Sequence, residues 1–145
     1  MGHANAARIL SPHLGLSEGK PNATFAFHNV LGFAVELYLK AFLSGRGWTV
    51  EQLADQKYAH KLDALLTASV QAGLFDYAGL PNVRPSALER VVQIIGPRFA
   101  DYSYRYIDDD NNRYDYVESG EYLWPILDDL HVRIENSGVR VSLSA

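Results

Sequence analysis

Several residues in this chain have the types and spacings that chemistry requires. His28, Gly32, Glu36, Lys40 and Ser44 recur every four residues, which places them on one narrow face of any helix that carries them. Glu36 stands four residues before Lys40, the favourable order for a helical ion pair. If this stripe faces water, the pair contributes about 0.3–0.5 kcal/mol. If it lines a groove or a subunit seam, Gly32 lets another backbone approach, and His28 becomes the natural partner of Glu36 or Lys40. His28, Glu36 and Lys40 are then a ligand-binding set.

A second concentration lies between Asp101 and Glu121, which reads DYSYRYIDDDNNRYDYVESGE. It holds Tyr102, Tyr104, Tyr106, Tyr114 and Tyr116 together with Arg105 and Arg113. Tyrosine stacks on bases and arginine clamps phosphate, so Arg105, Tyr106 and Arg113 are candidate ligands for a nucleotide or a single strand. Asp108, Asp109, Asp110 and Asp115 would repel that phosphate, and the alternative is a lid of packed rings beside a solvated loop. Asp108 and His60 are the candidates for proton transfer, His60, at a helix start, being otherwise a cap or packing residue. Asp108, Asp110 and Asn112 alternate as in a calcium loop, but Arg113 stands where the turn needs glycine and Ser119 where it needs glutamate.

The histidines fall at 3, 13, 28, 60 and 131, with no His-x-x-x-His or HExxH pair, so no metal site is assigned. There is no GxSxG elbow, phosphate-binding glycine loop or dinucleotide fingerprint, and no cofactor is expected. The chain lacks cysteine, which removes disulfides, thiolate metal sites and thiol nucleophiles and points to the reducing cytoplasm. Seventeen acidic and thirteen basic residues give a net charge of -4, so bulk electrostatics would not coat nucleic acid. Glu36 and Lys40 interrupt the longest apolar runs, and neither a membrane span nor a signal peptide is expected.

The elements that must position these groups are helical. At 145 residues, 48% of them hydrophobic, the chain suits one domain with a single core. The core is expected over about 22–136, with 1–21 and 137–145 peripheral. A short helix could run from Ala4 to Leu10. Asn22 is a good N-cap for a long helix to Ser44, about 34 Å, which Gly45 and Gly47 would end. It is apolar almost all round, so it must be central, or half buried in the domain and half in a partner.

Thr49 and Gln52 form a capping box for a helix over Val50–Gln56, and Ser86 and Glu89 a second one. Between them a helix spans about Lys61–Ala72, and Gly96-Pro97 is expected to kink the helix that Ser86 begins. Ser119 would cap a last helix through Ile134, with Gly138 as its stop. The tail VRVSLSA alternates like a short extended strand that could pair across a dimer. The expected fold is all-α, an up-and-down bundle of five or six helices.

The stretch from Phe27 to Leu74 adds a family likeness. VELYLKAFL at 35–43, Gly47, Leu53, YAHKLDALL from Tyr58 and Ala-Gly-Leu at 72–74 together resemble the bacterial HEPN-domain proteins. Arg105-Tyr106 is similar to the Arg-Tyr pair that often closes such sequences. The resemblance implies a homodimeric up-and-down bundle that binds or cuts RNA, or accompanies a nucleotidyltransferase partner, in toxin–antitoxin or defence systems. Catalytic members carry Arg, four to six residues, then His. After Arg105 the next histidine here is His131, and Arg98 and Arg113 have none in range. Arg8 and His13 have the spacing but sit at the wrong end, broken by Pro12. The resemblance therefore implies a binding or accessory module without the usual ribonuclease site. A diverged nuclease or nucleotide-processing enzyme and a purely structural interaction domain are the alternatives.

Overall fold

The computed structural model describes residues 21–101 and 123–140 of the chain. Among them lie α1 (Pro21–Gly45), α2 (Val50–Ala54), α3 (Leu62–Gln71), a 3-10 turn (Leu74–Asp76), α4 (Pro85–Ala100) and α5 (Leu123–Asn136), with no strand. These residues are all-α, as their periodicity predicts. The helix expected near the N-terminus, the tyrosine-rich segment, the Ser119 cap and the tail from residue 141 lie outside the described residues.

α1 is the centre of the fold, packed against α3, α4 and α5 at once. Phe27, Leu31, Val35, Leu39, Phe42 and Leu43 are fully buried along it, each such side chain contributing about 1.5–3 kcal/mol on burial. Of the two placements expected for it, central or shared with a partner, the structure shows the central one: the chain's own helices cover most of that surface. Among the α1 side chains described, Leu37, 52% exposed, is the large apolar one that they leave uncovered. Ala26–Gly45 is long and apolar enough to cross a membrane, so Glu36 and Lys40 do not break the run as expected. Its buried share belongs to this core.

The local signals hold in part. Thr49 caps α2 by the reciprocal box, its Oγ1 accepting from the Gln52 amide at 3.2 Å while Gln52 Oε1 accepts from the Thr49 N–H at 2.8 Å. The cap also holds the Glu51 carboxyl below the usual carboxylate range, through a hydrogen bond to its own backbone and then one with the Thr49 side chain. α1 ends at Gly45, and the left-handed residue that closes it is Gly47, at φ 94°, the conformation that costs glycine least.

α4 begins with Pro85 in its first turn and no side-chain cap, so the Ser86–Glu89 box is replaced by proline, whose missing N–H needs no partner there. Nor does Gly96-Pro97 interrupt α4, which continues to Ala100 with Pro97 inside it. Pro97 and Gln93 are both exposed, so the carbonyl that loses its helical donor faces water.

Candidate site around Glu36

The middle of the polar stripe of α1 is buried, and only its end at Ser44 is exposed. Glu36 is only 3% exposed and His28 1%, on a helix against which α3, α4 and α5 pack. Burying a carboxylate among apolar side chains costs several kcal/mol unless both oxygens are served. Here they are. Lys40 Nζ donates to Oε1 at 2.6 Å, and His60 Nδ1 meets Oε2 at 3.0 Å. Lys40 belongs to the same helix, one turn on; His60 arrives from the turn that precedes α3.

That turn is built for the purpose. Tyr58 and Ala59 N–H both donate to the Asp55 carbonyl at 2.8 Å, and Lys61 N–H donates to Tyr58 O at 3.1 Å. The closure forces His60 to φ 55°, a left-handed conformation that costs a non-glycine residue about 1–2 kcal/mol. Such strain persists only where the surroundings hold it. Here the Glu36 bond and two edge-to-face rings do so, Phe33 at 6.1 Å and Phe99 at 5.9 Å from the imidazole centroid.

Phe33 and Phe99 also meet each other at 5.1 Å. Gly32 explains how Phe99 comes so near: a Cβ there would run into the Phe99 ring. The close approach that Gly32 permits is therefore made by a side chain of α4, not by a partner's backbone. Because Phe99 is backed by His60 and Phe33, Gly32→Ala should destabilise the fold by about 1–3 kcal/mol, read from the urea midpoint at unchanged slope.

The chemistry of the cluster follows from donor and acceptor roles. A carboxylate only accepts, so Nδ1 of His60 carries the proton it shares with Glu36. In the neutral imidazole that leaves the lone pair on Nε2, the tautomer suited to taking a proton or a hydrogen bond. The His60 side chain is 30% exposed and that of Lys40 23%. Two basic groups thus reach toward the surface from one buried acid.

Of the sequence candidates, Glu36, Lys40 and His60 are brought together. His28, expected as the partner of Glu36 or Lys40, sits two turns earlier with its ring edge-on to Phe27, and His60 fills that role. Arg105, Tyr106, Asp108 and Arg113 lie outside the described residues. No group of three metal-ligating side chains occurs among the described residues.

Sequence reasoning missed a second buried ion pair. Arg133 Nε donates to Asp129 Oδ2 at 2.8 Å, with the side chains 8% and 5% exposed. Arg133 Nη1 donates to Tyr77 O at 2.8 Å, the Leu80 N–H to Asp129 Oδ1 at 2.6 Å, and Asn136 Nδ2 to Ala78 O at 2.6 Å. Together they clamp the 77–80 segment onto α5. The signal available was the four-residue spacing of Asp129 and Arg133, which reads equally well as a surface pair.

Family models, known proteins and solved structures were compared with the chain, and none matches it.

Proposed function

We propose that this chain is a HEPN-like up-and-down bundle that acts as a homodimeric binding or accessory module in a bacterial RNA-linked, toxin–antitoxin or defence process in the cytoplasm. RNA or a nucleotide is its ligand, and a nucleotidyltransferase is the partner protein that fits the resemblance. One observation carries the reading. Lys40 and His60, which with Glu36 and Gly47 make up the ordering that carries the resemblance, converge on the Glu36 carboxylate. Lys40 and His60 are the groups there that could meet phosphate. The missing Arg-x4-6-His spacing favours binding over cleavage. Leu37 on the outer side of α1 offers a contact for the second subunit.

A diverged nuclease remains the second reading because Glu36 orients His60 as carboxylates orient catalytic imidazoles. One experiment separates the two. Fluorescently labelled single-stranded RNA is incubated with the protein, with and without magnesium, and both anisotropy and product size are followed. Saturable binding without cleavage is expected, weakened roughly five-fold by Lys40→Gln through the loss of one phosphate contact. Cleavage abolished by His60→Asn would move the protein to the second reading. No binding, together with a scattering mass of one 16.2 kDa chain instead of two, would overturn both the ligand and the assembly.

A further inference from the structure

The turn from α1 into α2 and the turn from α2 toward α3 meet in an open surface notch of about 320 Å³, lined by Trp48, Gln52, Asp55, Lys57 and Tyr58. Its walls are aromatic. The Trp48 and Tyr58 rings stand at 81° with centroids 5.0 Å apart, and both side chains pack partly buried against the core, which fixes the corner they make. Trp48 is held there by the end of α1, its N–H donating to Leu43 O at 3.1 Å.

The notch already holds a cation. Lys57 Nζ lies 5.2 Å from the Tyr58 ring centroid, within the range in which a ring quadrupole attracts positive charge. Asp55 adds a carboxylate to the lining, and its Oδ1 accepts from the Lys57 N–H at 2.8 Å, which steadies it beside the rings. Gln52 has its Oε1 committed to the Thr49 cap. The tethered Lys57 aside, two aromatic walls, one acid and few acceptors serve a free, strongly hydrated primary ammonium poorly, since it wants three acceptors. They suit a weakly hydrated one that needs none.

We propose that this notch binds a quaternary ammonium group, with Trp48 and Tyr58 as its walls, Asp55 as its counter-charge and Lys57 as an internal competitor. Trimethylammonium is carried both by free choline-type molecules and by trimethylated lysine on a partner protein, so both sources enter the test. The proposal is independent of the RNA-linked reading and does not use the Glu36 cluster.

The indole N–H resonance of Trp48 reports binding, with Trp124, the other tryptophan of the chain, as internal reference. Choline should shift the Trp48 resonance saturably, with a Kd on the order of millimolar, as for an exposed cation–π site. Its neutral isostere 3,3-dimethyl-1-butanol should bind roughly ten-fold more weakly. Asp55→Asn, which keeps the acceptor for Lys57 N–H, should weaken choline roughly three-fold through the lost charge. Lys57→Ala should tighten it about three-fold by removing both a like charge and the occupant of the Tyr58 face.

Both substitutions fall on exposed residues, so the fold survives them. A trimethyllysine peptide that binds more tightly than choline identifies a protein side chain as the source, and equal affinity identifies the head group alone. The proposal is overturned if Trp48 shows no saturable shift, if the neutral isostere binds as well as choline, or if Lys57→Ala weakens binding.

Discussion

Glu36→Ala should lower the unfolding free energy by about 3 kcal/mol, near the lower end of what breaking a buried ion pair costs. Three losses combine. Lys40 is left part-buried without its 2.6 Å acceptor, His60 loses the 3.0 Å bond to its Nδ1, and the carboxylate's volume becomes a gap in contact with α3 and α4. The exposure of the Lys40 and His60 side chains, 23% and 30%, lets water recover part of the loss, which keeps the figure from the top of the range.

Glu36→Gln separates charge from shape. Its amide keeps Oε1 on Lys40 and turns its N–H₂ to His60 Nδ1, which accepts once the imidazole carries its proton on Nε2. What is lost is charge and not hydrogen bonds, about 1 kcal/mol. His60→Gly relieves the left-handed strain while losing the same bond, so it should cost less than His60→Ala. Urea titration followed by circular dichroism measures all four variants. Glu36→Ala within 0.5 kcal/mol of the parent would show that the cluster is solvated and the burial argument wrong.

How much of this was legible follows a physical boundary. Periodicity and capping act within a few residues, so α1, α3 and the Thr49–Gln52 box could be read from the chain, as could the Glu36–Lys40 pair. The Glu36 partner could not. His60 is twenty-four residues away and reaches the carboxylate only because its backbone turns left-handed, whereas His28 shares the stripe and looked nearer. Gly32 was legible as a place of close approach but not as the seat of Phe99, because that ring belongs to a residue more than sixty positions on. The apolar girth of α1 was read correctly. Its cover, supplied by three helices of the same chain, depends on how they fold back, which no local pattern states. Pro97 misled as an interruption for a similar reason: on the exposed side of α4 the carbonyl it frees can be hydrated, which lowers its cost.

The Asp129–Arg133 pair lies at the far side of that boundary, and it sets the other large expectation. Arg133→Ala should cost about 3–4 kcal/mol, since it strands a carboxylate 5% exposed and removes the donor to Tyr77 O. Asp129→Ala should cost a similar amount, leaving the guanidinium and the Leu80 N–H without their acceptor. Once either member is gone, most of the network is already broken. The double variant should therefore fall well short of the sum of the two, with a coupling of about 1–3 kcal/mol in the cycle.

Gly79→Ala supplies the control that removes neither charge. A Cβ there would land on Asp129 Oδ1, with the Arg133 guanidinium carbon 2.7 Å away, so the segment must lift off α5 to admit it. If the clamp stabilises by holding 77–80 down, the alanine should approach the cost of Arg133→Ala, and combined with Arg133→Ala it should add little. Additive losses across these variants, measured by denaturant midpoint at constant slope, would mean that the pair and the segment act independently, and that Arg133 merely fills space beside Phe75.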